Sequence, residues 1–180
     1  ATAEEITDTA ITQPLVVAAT LLAHAALAEC GLPAGADTVV AGHSVGEIAA
    51  YAIAGVISDD DAVKLAAVRG TEMAKACAAE ATGMSAVLGG TEDDVLARLE
   101  ALDLIAANRN ATGQIVAAGM VSALEKLAED PPAKARVRQL ATAGAFHTHF
   151  MSPALDGYAA AAAGITAQDP SVMLLSNFDG

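Results

Sequence analysis

Tryptophan is absent from the 180 residues, and aromatic side chains make up only 3% of them. A core must therefore be assembled from Ala, Val, Leu and Ile. That is feasible, because 54% of the chain is hydrophobic and this length suffices for one domain, or one domain with a small appendage. Cysteine is nearly as scarce. Cys30 and Cys77 lie far apart and outside any metal-ligand spacing, which argues against a disulfide framework or a metal site and predicts two buried free thiols. Basic residues number 9 against 22 acidic ones, a net charge of −13, and that balance argues against nucleic acid and anionic membrane surfaces as partners. No uninterrupted apolar run reaches the roughly 18–20 residues that span a bilayer. The longest, Pro14 to Ala28, is broken by Thr20 and His24 and closed by Glu29; it reads as a buried Ala-rich helix. No basic segment leads into an apolar one at the N-terminus, so no signal peptide is expected. The expectation is a soluble, cytoplasmic, monomeric chain.

What is present alternates between helix and strand signals. Thr12-Gln13-Pro14 reads as the start of a helix, with Thr12 as its cap and Pro14 in its first turn, running to about Cys30 and stopping at Gly31-Leu32-Pro33. After a Gly/Ala loop, Thr38 to Ala41 reads as a short strand and Gly46 to Gly55 as a helix. Ser58 caps the next helix, with Asp59, Asp60 and Asp61 in the first turn, where the macrodipole favours them. From about Gly83 the order becomes strand (Met84–Leu88), helix (Thr91–Ala101), strand (Leu104–Asn108), strand (Gln114–Ala118), helix (Ser122–Glu129) and strand (Ala135–Leu140). That β-α-β-β-α-β order predicts a ferredoxin-like unit. The overall expectation is an α/β fold: an α/β-hydrolase-like large subdomain over 1–82 and 142–180, with a ferredoxin-like small subdomain inserted over 83–141. A helix after Pro153 and a strand over Val172–Leu175 complete the large part.

Gly42-His43-Ser44-Val45-Gly46 fits G-x-S-x-G between a strand and a helix. On such a turn a serine hydroxyl projects from the sheet as a candidate nucleophile. Gly42 and Gly46 are expected to make room where a Cβ would collide. The backbone N–H of Val45, at the helix start, is expected to face a developing oxyanion. A nucleophilic serine needs a base, and the histidines are His24, His43, His147 and His149. His24, inside the apolar helix, reads as a satisfied core residue, and His43 as structural or pocket-lining. Composition does not choose between His147 and His149.

A resemblance does. Gly42 through Gly46 with Glu47, the Arg69-Gly70 pair, and Ala145-Phe146-His147-Thr148 with Met151 resemble the malonyl-CoA:acyl-carrier-protein transacylases of bacterial fatty acid synthesis and the acyltransferase domains of polyketide synthases. Thr12-Gln13-Pro14, Gly83-Met84, Asn108-Arg109-Asn110 with Gly113-Gln114, and Leu175-Ser176-Asn177 match in order and spacing. The resemblance covers essentially the whole chain. It implies Ser44 as the residue that becomes a malonyl ester, His147 as its general base and Val45 as an oxyanion-hole donor. It further implies Arg69 as the grip on the free malonyl carboxylate, and Gln13 and Asn110 as polar pocket residues. Phe146 is implied as a steric filter against a substituent on the malonyl carbon. Arg69 makes independent sense, since a planar guanidinium binds a carboxylate with two charge-assisted bonds.

The implied reaction is ping-pong transfer of malonyl from malonyl-CoA to the phosphopantetheine thiol of acyl carrier protein, with no cofactor and no metal. That carrier is acidic, and Lys126, Lys134, Arg136 and Arg138 are a candidate docking and CoA-phosphate surface. The chain departs from the family pattern at both ends. The family's initial strand ending in Gly-Gln-Gly is absent, and the sequence stops at Asn177-Phe178-Asp179-Gly180, so an internal fragment is expected. Rival expectations are an esterase on the same elbow, which would need a catalytic acid and no Arg69, and an inactive interaction domain.

Overall fold

The computed structural model describes residues 2, 5–31 and 38–178. Its contacts divide the chain into two compact units, one of Ala1–Glu72 with Asp156–Gly180 and one of Met73–Leu155. The elements are α1 (Thr9–Glu29), β1 (Val39–Ala41), α2 (Gly46–Ile53), α3 (Asp59–Ala79), β2 (Thr82–Gly89), α4 (Glu92–Ala101), β3 (Ile105–Ala111), β4 (Gln114–Met120), α5 (Val121–Glu129), β5 (Ala135–Gln139), α6 (Leu155–Ala163) and β6 (Met173–Leu175).

In the first unit, β1 and β6 pair in parallel, with Val39 opposite Met173 and Ala41 opposite Leu175. The loop after α2 sets this alignment. The N–H groups of Gln168 and Ser171, on the approach to β6, donate to the carbonyls of Val56 and Ala54 at 2.9 and 2.8 Å. Val17, Leu21, Ile48, Ala49, Ala52, Ala62, Leu65 and Ala66 form the core, with Tyr158 and Ile165 packed against it. So many alanines let helices approach closely. At the crossing of α3 over the start of α1, a Cβ on Gly70 would lie 2.5 Å from the Thr9 carbonyl oxygen and 2.9 Å from Ala10 Cα.

Several sequence expectations change here. Helix α1 begins at Thr9, not after Thr12, because the Asp8 carboxylate accepts the Ala10 N–H at 2.9 Å and caps it. Thr12 instead donates its hydroxyl back to the carbonyls of Ile6 and Asp8. The helix is not buried as a whole. Only Thr9, Gln13, Val17 and Leu21 are, while Ile11, Leu15, Val16 and Leu22 are exposed. His24 is exposed rather than a core residue, and Cys30 is exposed while Cys77 is half-buried, both as free thiols. An Ala-rich helix without a polar stripe does not announce which face is covered, which is the physical reason for the difference. By length and composition alone α1 is long and apolar enough to cross a membrane, since the many Ala, Val and Leu around Thr20 and His24 outweigh those two breaks in the average. The stop at Leu32-Pro33 and the Gly/Ala loop lie outside the described residues.

The second unit has element order β2-α4-β3-β4-α5-β5 and one antiparallel sheet ordered β3-β4-β2-β5. Alternation along its strands covers both faces. Val87, Ile115 and Ala117 face α4 and α5 through Val95, Leu99, Leu124 and Leu127. Met84, Val116 and Ala118 face the chain that follows β5, packing with Leu140, Ala145, Phe146 and Phe150. Thr91 caps α4 by accepting the Asp94 N–H at 3.2 Å, and Ser58 caps α3 in the same way through Asp61 at 3.1 Å. Arg136 and Arg138 point to solvent from β5, an edge of the sheet.

The Gly70 crossing leaves no room for a methyl group. Gly70→Ala is expected to destabilise the protein by about 1–3 kcal/mol through overpacking against backbone, read as a lowered urea midpoint at unchanged slope; an unchanged midpoint would show that the helices separate freely.

Candidate active site

Strand β1 ends at Ala41, and the chain turns through Gly42-His43-Ser44-Val45 into α2. The turn is tight. The N–H groups of Gly46, Glu47 and Ile48 donate to the carbonyls of His43, Ser44 and Val45 at 3.0, 3.1 and 3.1 Å. Ser44 takes φ +56°, a left-handed conformation that costs a side-chain-bearing residue on the order of 1–3 kcal/mol and persists only where neighbours enforce it. A Cβ on Gly42 would collide with the backbone of Gly46 and Glu47, whereas one on Gly46 meets nothing among the described residues. The first glycine is thus sterically obligatory; the second is not, a correction to the symmetric expectation.

Asparagine and glutamate do the enforcing. The Ser44 N–H donates to Asn177 Oδ1 at 3.2 Å, and Asn177 Nδ2 donates to the Gly42 carbonyl. Glu47, on the first turn of α2, accepts at Oε1 from the Asn177 N–H at 2.9 Å, the Ser176 hydroxyl at 3.1 Å and the Tyr51 hydroxyl at 3.2 Å. With these amides engaged, the Val45 N–H at the head of α2 has no acceptor among the described residues. Burial pushes the Glu47 carboxyl up, but the Asn177 N–H and the hydroxyls of Ser176 and Tyr51 outweigh it and leave the group below its ordinary value. Burial also raises the Tyr51 phenol, and the neighbouring Glu47 charge adds to that.

Arg69 reaches the same turn from α3. Its Nη2 donates to Ser44 Oγ at 3.3 Å and its Nη1 to Gln13 Oε1 at 2.6 Å. Gln13 is 4% exposed, and its Nε2 donates to Thr9 Oγ1 at 2.8 Å, which fixes the oxygen toward the guanidinium. Burial lowers the Arg69 pKa, with Tyr158 and Glu47 opposing, and the Tyr158 phenol is raised by its own burial, against which the Arg69 charge pulls. Both of these Arg69 bonds go to neutral oxygens, and no carboxylate among the described residues stands at ion-pair distance.

The structure therefore brings Ser44, Val45, Arg69 and Gln13 together in the first unit. Asn110, Phe146 and His147 belong to the second. There, His147 is exposed and takes φ +59°. Thr148 closes the loop around it, donating its hydroxyl to the Ala145 carbonyl at 2.6 Å and accepting the Phe150 N–H at 3.2 Å. Ala145 N–H in turn donates to Thr82 Oγ1 at 3.1 Å. Phe146 packs against the sheet face. His149 lies tilted on Phe150, ring centroids 4.2 Å apart. Asn110 is exposed near the end of β3. No group of three acidic, His or Cys side chains among the described residues can hold a metal ion. Sequence reasoning assigned no role to Asn177, Glu47 or Tyr158. The available signal was that β6 runs into Ser176-Asn177 just as β1 runs into the elbow.

Residues 1–178 match the acyl transferase domain family. The malonyl CoA-acyl carrier protein transacylase of Mycolicibacterium smegmatis is 78% identical over 180 residues, which is 100% of this chain and 62% of that protein. The crystal structure of MCAT from Mycobacterium tuberculosis has a TM-score of 0.94 at 74% identity, covering 98% of this chain and 59% of that one. A malonyl-transacylase solved in complex with a type II polyketide synthase acyl-carrier protein has a TM-score of 0.86 at 28% identity, covering 97% and 58%. These likenesses make the fold α/β, and the chain spans about 60% of the length of the relatives it matches.

The lowered Glu47 pKa carries a pH dependence of defined sign. A carboxyl whose folded pKa lies below its unfolded value contributes stability that is present above the unfolded pKa and lost as pH falls through the folded one. The denaturant midpoint of the wild type should fall on acidification below about pH 5, and Glu47→Gln should flatten part of that fall while lowering the midpoint at neutral pH. Parallel curves for the two proteins would count against the network.

Proposed function

The chain belongs to the acyl transferase domain family, and from that premise we propose that the protein transfers malonyl from malonyl-CoA to the phosphopantetheine thiol of acyl carrier protein through a malonyl-Ser44 intermediate. The observation that carries this reading is the Arg69 guanidinium, half-buried beside Ser44 Oγ and hydrogen-bonded, among the described residues, to neutral oxygens. A desolvated cation without a counter-ion favours an anion, and malonyl differs from acetyl by one carboxylate. The relatives' names and the carrier-protein complex support the same substrate pair.

In the first half-reaction Ser44 Oγ bonds to the thioester carbonyl carbon as His147 takes its proton. The Val45 N–H and the head of α2 stabilise the oxyanion. The carbon–sulfur bond then breaks, and CoA leaves with the proton as a thiol. The second half-reaction repeats these steps with the phosphopantetheine thiol as attacking group and Ser44 as leaving group. Gln13 orients Arg69, Asn110 contributes a polar pocket group, and Phe146 restricts space beside the malonyl methylene. The roles of His147, Phe146 and Asn110 rest on the sequence resemblance. No cofactor, metal, nucleic acid or membrane enters this reaction.

The finer architecture is proposed on the same footing. The β-α-β-β-α-β order and the sheet order β3-β4-β2-β5 support a ferredoxin-like subdomain over 83–141, set into an α/β-hydrolase-like remainder over 1–82 and 142–180. Arg136 and Arg138 on the exposed face of edge strand β5, with Lys126 and Lys134, support this subdomain as the dock for the acidic carrier.

Ser44→Ala should abolish covalent labelling by radioactive malonyl-CoA; label retained on another residue would end the proposal. Arg69→Ala should reduce malonyl transfer by about 10–100-fold more than acetyl transfer, the range expected when a buried charge loses its partner. Equal losses for the two substrates would remove its carboxylate role. Reversing the charges of Lys134 and Arg136 should weaken carrier-protein transfer at low salt; unchanged transfer would show that this patch is not the dock.

A further inference from the structure

We propose that Asn177 is a positioning residue for the nucleophile, its side-chain amide holding Ser44 in the backbone conformation from which the hydroxyl reacts. The proposal rests on the reading of Ser44 as the acylated residue.

The geometry points to this because one side-chain amide bridges both limbs of the elbow. Its oxygen accepts the N–H of Ser44 at 3.2 Å, and its nitrogen donates to the carbonyl of Gly42. Those two groups, two residues apart, are the pair that the next residue of a parallel neighbour would engage if the ladder of β1 and β6 continued past Ala41 and Leu175. The backbones diverge there, since β1 bends into the turn, and the amide of Asn177 supplies a donor and an acceptor in place of a peptide group. The left-handed φ of Ser44 needs such enforcement, because the turn's own bonds, from Gly46, Glu47 and Ile48, fix the chain after Ser44 and not its N–H.

Asn177 is itself held. Glu47 accepts its backbone N–H at 2.9 Å and the Ser176 hydroxyl at 3.1 Å, and Ser176 Oγ accepts the N–H of Phe178 at 3.1 Å. The elbow helix thus grips the end of β6, and the end of β6 grips the elbow. Engaging the Ser44 N–H also keeps it from competing with the Val45 N–H for a developing oxyanion. Without the bridge, rotation about the Ser44 backbone moves Oγ while β1, α2 and their packing remain.

The test is single-turnover acylation of the full-length protein by radioactive malonyl-CoA, fitted for the rate constant at saturation and the half-saturating concentration. It compares wild type, Ser44→Ala, Asn177→Ala and the isosteric Asn177→Asp, whose carboxylate cannot donate to the Gly42 carbonyl. Both Asn177 variants should acylate about 10–100-fold more slowly at saturation, the loss expected from displacing a reacting group by an ångström or less, with half-saturation changed less than about 2-fold on the same reasoning. Wild-type rate constants in folded variants, or a raised half-saturation at an unchanged rate constant, would overturn the proposal. If Asn177→Ala does not fold, Asn177→Asp decides by the same criteria. Should the wild type itself take no label at Ser44, the reading of the nucleophile fails first; label on wild-type Ser44 together with unimpaired Asn177 variants defeats the positioning role alone.

Discussion

Parallel pairing of β1 with β6 makes two distant parts of the sequence finish side by side, and the Gly42–Val45 turn depends on that shared end. The pairing is only three residues long, and so short a ladder is a weak constraint by itself. It is reinforced at both extremities. At the entry, Ser171 binds the Ala54 carbonyl through its N–H and its hydroxyl, at 2.8 and 2.9 Å. At the exit, Asn177 donates its backbone N–H to Glu47 and accepts the Ser44 N–H at its side-chain oxygen. Register, and with it the environment of Ser44, is therefore specified mainly by polar contacts at the tips rather than by the strands. In an open α/β sheet a site belongs at the carboxyl ends of the strands, and here that end carries nearly all of the unit's side-chain hydrogen bonding around the turn.

At Arg69, electrostatics run against stability. A half-buried guanidinium bonded to neutral oxygens loses hydration, and its lowered pKa expresses that cost, which the Glu47 charge only partly opposes. The fold sustains it through close approach: glycine at 70 brings α3 against the first turns of α1, so that Gln13, locked by Thr9, can supply one fixed acceptor. A larger residue at 70 would relieve nothing and would move Arg69 away from Ser44. Sites that store an unfavourable interaction are where binding energy can be selective, because the ligand that relieves the cost is the one preferred.

Much of this was legible in the sequence. Helix caps at Ser58 and Thr91 follow from local hydrogen-bonding chemistry, and they are observed. The order of strands and helices from Thr82 to Gln139 follows from alternation and turn residues. The elbow is readable because glycine at 42 is a steric necessity. What was not legible falls into two kinds. The covered face of α1 is not legible because an apolar helix rich in alanine carries no periodicity to mark it, so nothing in the sequence shows that His24 and Cys30 are exposed. The Asn177–Glu47 clamp was missed because its partners are 130 residues apart or more, and only the strand register reveals their adjacency. Hydrogen bonds of that separation leave no trace in local propensity.

Ser44 and His147 share a feature that neither motif nor composition would suggest. Both are non-glycine residues with positive φ, at +56° and +59°, and each is straddled by one polar side chain that bonds to backbone near it. For Ser44 the straddling group is Asn177; for His147 it is Thr148, which reaches back to Ala145 and forward to Phe150. Left-handed backbone turns a side chain away from the surface its neighbours share, which is how a short loop can present one group outward while the adjacent residues, Val45 in one case and Phe146 in the other, pack inward. The strain is local, and so is its remedy. Each unit can thus hold the backbone of its own candidate residue in a left-handed conformation through side-chain bonds made to the chain beside it.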